Sequence, residues 1–322
     1  MKHLITGCAG FVGYHLVKKL FDEQKDIEIV GVDDLNNYYS PKVKKKRLNQ
    51  LKKDARFKFY KMDISKFESL YKIIETERIE VIVHLAAQAG VRYSLENPWV
   101  YEKTNCMGTL NIFESAKRLG IKKVIYASSA SVYGNLDGNW SEDKPLNDPI
   151  SLYAATKLHD EQIARVYYNL FGFKSIGLRF FTAYGEYGRP DMAFWTFTKN
   201  ILNDKPIDVY NNGDMERDFT YISDIIDGVI KAINYDCDYE IFNLSGGKEH
   251  NLKYIIECIE KESKKQAIRN YMPIQLGDIK KTSADITKAR TLLGYSPKIS
   301  IEEGIHKYVS WFKKNKKWID KL

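Results

Sequence analysis

The sequence predicts an α/β fold, a doubly wound parallel sheet followed by a smaller, mixed α/β C-terminal lobe. Three observations carry this. Short apolar strand signals alternate with helix-period segments through the first two-thirds of the chain. A glycine-rich stretch, Thr6-Gly7-Cys8-Ala9-Gly10-Phe11-Val12-Gly13, separates the first strand from the first helix. Past Phe181 the alternation breaks, with Gly185, Gly188 and Pro190 marking a long loop.

Leu4-Ile5 opens the chain as a strand, and a helix follows at about 13–21. Residues 28–33, 57–61, 81–85 and 123–128 read as further strands, with helices around 66–77 and 100–119 between them. A helix at about 152–170 leads into a strand at 175–181. Parallel neighbours need crossovers long enough to hold a helix, so βα units at this spacing imply helices on both faces of one sheet. Beyond the loop come a helix at 192–202, a strand at 208–210, a helix at 223–233, a strand at 240–244 and a helix near 252–264. The expected division is a nucleotide-binding domain of residues 1–181 with a return segment 208–244. Residues 182–207 and 245–322 then form the substrate lobe.

Composition narrows the function classes. The 322 residues are 44% hydrophobic and 29% charged, the balance of a globular chain with a sizeable core. The densest apolar run, Val81-Ile82-Val83-His84-Leu85-Ala86-Ala87, is strand-sized, far short of the roughly 18 residues a membrane helix needs. The chain enters a strand at once, so no signal peptide is expected. Cys8, Cys106, Cys237 and Cys258 stand far apart, which suggests neither a metal site nor a disulfide framework and points to a reduced, cytoplasmic protein. The net charge of +8 sits in two places: seven cations and no acid in 42–53, and six lysines against Asp320 in 307–322. Each reads as a solvated helix face or a frayed tail. No basic-aromatic recognition motif accompanies them, so neither a nucleic-acid nor a membrane partner is expected.

The glycine stretch has the chemistry of a dinucleotide site. Gly7, Gly10 and Gly13 allow a tight turn, close backbone approach to a pyrophosphate and close helix–sheet packing, while N–H groups at the helix start (Phe11, Val12) face the phosphates. Asp33 ends the second strand, where a carboxylate accepts from ribose hydroxyls and repels a 2′-phosphate. Asp34 and Leu35 offer no cation beside it, so NAD is favoured over NADP. Asp63, after the third strand, either meets the adenine or serves as a turn aspartate.

Tyr153 and Lys157 stand four apart, on one helix face. A phenol is a poor base at neutral pH, but an adjacent ammonium favours its ionised form. The pair follows a serine cluster, Ser128-Ser129-Ala130-Ser131. Together they suit proton removal from a sugar hydroxyl coupled to hydride transfer.

These landmarks, with His84-Leu85-Ala86-Ala87, Asn105 and Arg217-Asp218-Phe219, resemble the extended short-chain dehydrogenase/reductases, whose sheet is the Rossmann fold. Residues 88–98, Ser151 to Lys157, Leu178 to Thr182, Gly188 to Met192 and Pro206 to Asn211 are similar to UDP-glucuronate 4-epimerases. The resemblance implies a homodimeric, NAD-dependent C4 epimerase of UDP-hexuronates, working through a transient 4-keto sugar. It implies catalytic roles for Ser129, Tyr153 and Lys157. It places Ile64, Leu85, Ala86, Ala87 and Asn105 with the glycine loop, Asp33 and Asp63 at the cofactor. Ser129, Ala130, Ser131 and Thr182 are placed at the sugar, and Arg189, Arg217 and Asp278 at the UDP. Arg92 either lies near substrate or cofactor phosphates or forms a structural ion pair. Related 4,6-dehydratases and decarboxylases carry carboxyl side chains in the serine cluster, and this chain has none there. A 4-epimerase of neutral UDP-sugars is the alternative activity, and a non-catalytic NAD-binding regulator a further one.

Overall fold

The computed structural model describes residues 1–275 and 278–322. Seven strands form the central sheet: β1 (Lys2–Thr6), β2 (Glu28–Asp33), β3 (Phe57–Lys61), β4 (Val81–His84), β5 (Lys123–Ser129), β6 (Ser175–Phe180) and, later in the chain, β10 (Tyr239–Leu244). Their order is β10-β6-β5-β4-β1-β2-β3, and every neighbouring pair is parallel. The order reverses between β1 and β4, so a crevice opens beyond their carboxyl ends, where ligands bind in such sheets.

Both faces are covered. The helices Phe11–Glu23 and Ile222–Asn234 bury Leu16, Val17, Leu20, Ile225 and Val229 in one apolar layer. Phe67–Glu77, Gly108–Leu119 and Leu152–Phe171 bury Leu70, Ile74, Ile112, Phe113 and Tyr167 in the other. The lobe adds β7 (Thr182–Tyr184), β8 (Pro206–Tyr210), β9 (Glu216–Tyr221), β11 (Glu249–Asn251) and β12 (Ile268–Met272). These make a small β11-β9-β7 sheet and a β12-β8 pair. Of the 208–244 segment, β10 and its preceding helix lie with the central sheet, while β8 and β9 pair in the lobe.

Two expectations are corrected. The helix expected at 100–119 is interrupted by a π-helical turn, Glu102–Met107, between Pro98–Tyr101 and Gly108–Leu119. Asn105 lies on this turn and is fully buried. The basic run 42–53 is also not wholly a solvated face. It forms the helix Pro41–Leu51, in which Lys44 and Arg47 are buried. Arg47 donates to Ala9 O (2.9 Å), Gly188 O (3.0 Å) and Tyr187 O (2.5 Å from Nη2), bonds that periodicity does not reveal.

Candidate active site

The crevice begins at Gly7, which follows β1 with φ +69°. A Cβ there would lie 2.8 Å from the Ala86 nitrogen, so the first glycine turn and the strip after β4 touch backbone to backbone. Gly7 N–H donates to Val32 O at 2.7 Å and Gly10 N–H to Gly7 O at 2.9 Å, which closes the loop. A Cβ on Gly13 would strike Gly7 O, so the helix Phe11–Glu23 starts hard against the turn. Phe11 is buried and Val12 packs partly against the core. Thr6 Oγ1 accepts from Ala86 N–H (3.1 Å) and bonds His84 Nδ1 (2.7 Å), which fixes Leu85, Ala86 and Ala87 beside the loop.

Asp33 ends β2, nearly buried. Its Oδ2 accepts from Ala9 N–H at 3.1 Å and its Oδ1 from Leu35 N–H at 2.8 Å. Burial raises its carboxyl above the ordinary value, opposed by these N–H groups and by Lys44. The cation missing from positions 34 and 35 is thus supplied by the following helix. Its ammonium is engaged, however, donating to Asn36 O (3.0 Å) and Asn36 Oδ1 (2.7 Å). Asp63 pairs with Lys103 at 2.7 Å and accepts from Ser65 N–H at 2.9 Å. Its neighbour Ile64 is buried, and Ile64 O accepts from Asn111 Nδ2. Asn105 is fully buried. It accepts from Gln88 N–H (2.8 Å) and donates to Gln88 O (3.1 Å) and Thr156 Oγ1 (2.9 Å), joining the strip after β4 to the next helix. Asn105 therefore reaches the crevice through Gln88.

That helix, Leu152–Phe171, is capped by Ser151 Oγ, which accepts from Ala154 N–H at 3.1 Å. Tyr153 is half-buried, edge-on to Tyr101 with centroids 6.1 Å apart. Lys157, one turn on, is 2% exposed and donates to Ala127 O (2.9 Å) on β5 and to Asp160 Oδ2 (3.0 Å). Burial disfavours its charge, but Asp160 and Tyr153 outweigh that and hold the ammonium above its ordinary pKa. The helix packs on the Ala130–Tyr133 turn. At that turn Ser129 Oγ accepts from Ser131 N–H (3.2 Å) and bonds Ser131 Oγ (2.9 Å). Ser128 donates instead to Glu161 Oε1 (2.5 Å), and Glu161 forms a buried two-point pair with Arg179 (2.9 and 2.8 Å). Asp160 and Glu161 were missed in the sequence. Their spacing of three and four from Lys157 was the available signal.

The residues expected at the UDP fall into two groups. Arg92 meets Asp278 at 3.0 Å and lies over the Tyr210 ring, and Asp278 acts on Arg217 electrostatically. Burial lowers the pKa of Arg217, which donates to Glu216 O and Lys280 O. Arg92 therefore forms the ion pair that was one of its two readings. Arg189 pairs with Asp191 (2.5 Å), which also accepts from Tyr38 OH (3.0 Å), and Tyr38 stacks near Tyr93. Burial opposes charge on Arg189, but Asp191 outweighs it and holds the guanidinium above its usual pKa. Thr182, half-buried on β7, is paired with Phe219 beside Asp218. Among the described residues no His, Cys, Asp or Glu cluster is placed to hold a metal, and no helix is long and apolar enough to cross a membrane.

Residues 4–308 match the family model described as GDP-mannose 4,6 dehydratase. The chain is 55% identical to an uncharacterized protein of Methanocaldococcus jannaschii, over 99% of this chain and 98% of the relative. It is 45% identical to the UDP-glucuronate 4-epimerase of Thermodesulfobacterium geofontis, over 97% and 96%. Among solved structures, the UDP-glucuronic acid 4-epimerase of Bacillus cereus, in complex with UDP-glucuronic acid and NAD, superposes with a TM-score of 0.93. That match has 37% identity and covers 98% of this chain and 99% of the other. The crevice at the sheet's switch point, its glycine loop and its tyrosine–lysine pair agree with these likenesses: the chain belongs to the extended short-chain dehydrogenase/reductases, among the UDP-glucuronate 4-epimerases.

Proposed function

We propose that this protein interconverts UDP-glucuronate and UDP-galacturonate by NAD-dependent epimerisation at C4. One observation carries the reading: Tyr153 and the buried, charged Lys157 stand on a helix packed against a turn where Ser129 and Ser131 offer hydroxyls and Ala130 adds no carboxylate. The residues present fit a dinucleotide, because the cradle at Gly7 is one that a Cβ would fill and Asp33 stands at the adjoining strand end. NAD, when bound, supplies a hydride acceptor and then a donor at the sugar carbon, and is restored with each turnover.

The chain's own residues do the rest. The N–H groups of the glycine loop hold the pyrophosphate, and Asp33 accepts from the adenosine ribose. Lys157 holds the nicotinamide ribose with the N–H left over from Ala127 and Asp160. Tyr153 Oη takes the proton from the sugar O4 and returns it, with Ser129 bonded to the same hydroxyl. Arg217 and, from the cleft's other group, Arg189 hold the diphosphate through charge-assisted bonds, and Asp278 accepts from the uridine ribose. The Ser129–Ser131 turn and Thr182 bind the uronate carboxylate. With no acid or base added beside the sugar, water elimination is unassisted, and a held carboxylate restrains loss of CO₂.

A homodimer and a cytoplasmic setting complete the proposal. Trp99, Met107, Leu110, Val166, Leu170 and Phe171 are exposed apolar residues on the helices 98–119 and 152–171, and the four cysteines are free. The deciding experiment compares kcat/KM for UDP-glucuronate and UDP-glucose on one preparation, with products identified by NMR. UDP-glucuronate is expected to be much the better substrate, since a site built to bond a group is left with unpaired donors when the group is missing. Equal values assign the protein to the neutral-sugar epimerases, and UDP-pentose as main product assigns it to the decarboxylases.

A further inference from the structure

Asp160 stands on the helix that carries Tyr153 and Lys157, and is 1% exposed. Its Oδ2 accepts from Lys157 Nζ at 3.0 Å, while Ala127 O on β5 accepts from the same ammonium at 2.9 Å. Two of the three N–H bonds of Lys157 are thereby committed to the chain, and one is left for a ligand. The other oxygen, Oδ1, is buried without a hydrogen bond among the described residues and lies 3.8 Å from His159 Nδ1.

An ammonium this deeply buried needs a counter-charge, because burial alone drives lysine towards its neutral form. The groups acting on the pair come from every element around it. His159 shares its helix, Glu102 and Cys106 stand on the π-helical turn, His84 ends β4 and Tyr126 lies on β5. His84 is kept neutral by burial, and the Cys106 and Tyr126 groups are pushed further towards their neutral forms by burial. Glu102 faces His159 and the Cys106 thiol. Asp160 is the carboxylate bonded to Lys157.

We propose that Asp160 is a positioning residue of the reaction, holding Lys157 Nζ against β5 and keeping it charged so that its remaining N–H stays directed at the nicotinamide ribose and Tyr153. This rests on the reading of Tyr153 and Lys157 as the acid–base pair. Asp160→Asn keeps the shape and an acceptor but removes the charge. Loss of the negative charge favours the neutral amine of Lys157, so the alkaline limb of the pH profile moves down.

The test measures kcat/KM for UDP-glucuronate against pH in the wild type, Asp160→Asn and Asp160→Glu, together with calorimetric NAD affinity of the stripped proteins over the same range. The alkaline limb of Asp160→Asn is expected to fall by about 1–3 pH units. Its NAD affinity should weaken as pH rises through that window while the wild type stays level, and Asp160→Glu should restore both. Repeating the series in a His159→Gln background removes the neighbouring imidazole as a source of the shift. If Asp160→Asn does not fold, Asp160→Ser makes the same comparison. Limbs and NAD affinity that superimpose on the wild type, whatever the change in Tm, overturn the proposal. A wild type without turnover on any UDP-sugar overturns the underlying reading instead, and the NAD titration still decides the role of Asp160.

Discussion

Tyr153 and Lys157 are legible because the α-helical repeat alone puts residues four apart on one face. What they do depends on neighbours the repeat does not name. Ala127 O and Asp160 fix the lysine, and Ser151 caps the turn that presents the tyrosine. Tyr153→Phe keeps the ring against Tyr101 but leaves no group to move a proton. Its kcat is expected to fall by about 10² to 10⁴, the usual worth of general acid–base assistance, with UDP-sugar affinity by calorimetry nearly unchanged. Turnover near the wild-type rate would leave Tyr153 a packing residue. Asp33 was equally legible from its place at a strand end. Its contact with Ala9 N–H, and the approach of Lys44, were not, since both depend on how the following loop folds back.

At the scale of elements, the strands and helices read from the hydrophobic period lie close to their observed bounds, while the lobe's strands Thr182–Tyr184 and Glu216–Tyr221 and helices Thr287–Leu293 and Ile301–Lys314 were not read, and two further departures share one cause. A period reports which face is apolar, and says nothing of a polar side chain that is buried because it is satisfied. The π-helical turn at 102–107 and the helix Pro41–Leu51 are both of this kind. Arg47 and Lys45 test the point within one helix. Arg47 is wholly buried and joins the glycine loop at Ala9 to the loop before Arg189 through Tyr187 and Gly188. Arg47→Met strands several buried carbonyls, each worth about 1–3 kcal/mol when left unpaired. A loss of at least about 2 kcal/mol in denaturant unfolding is expected, with a raised KM for the UDP-sugar. Lys45→Ala, at an exposed position, should stay within about 0.5 kcal/mol. Similar losses for the two would mean the Arg47 bonds contribute nothing measurable.

Across the whole molecule, buried histidines set an acid limit. Burial lowers the pKa of His3 and His15 to about 4 and of His84 to about 3, from an ordinary 6.5. The unfolded chain takes up these protons as pH falls below 6.5 while the native chain refuses them, so stability declines from there to about pH 4 for His3 and His15 and to about pH 3 for His84. Glu114 and Glu302, held near 2 by hydrogen bonds with Lys117 and Tyr254 respectively, add losses in the same direction that begin lower, near their ordinary 4.5. Scanning calorimetry should show Tm falling from about pH 6.5 downwards, and a level Tm to pH 5 would contradict the histidine assignment. The exposed apolar residues of the helices 98–119 and 152–171 lead to a second whole-molecule expectation. A double change, Leu170→Glu with Phe171→Lys, should convert a dimer to a monomer in light scattering without unfolding it, whereas a wild type that is itself monomeric excludes the dimer.

The sequence by itself determined the βα alternation, the glycine loop, the acid at the end of β2 and the tyrosine–lysine pair. Each is set by local chemistry: a period, a conformation open to glycine, or a fixed helical spacing. Only the tertiary structure decided that Arg92 and Arg217 gather with Asp278 while Arg189 pairs with Asp191. It alone placed Asn105 against Gln88, Arg47 between two loops, and Asp160 beneath the lysine. Buried polar groups take whatever partner the packed chain brings within reach, because leaving them unpaired away from water costs more than any local preference is worth.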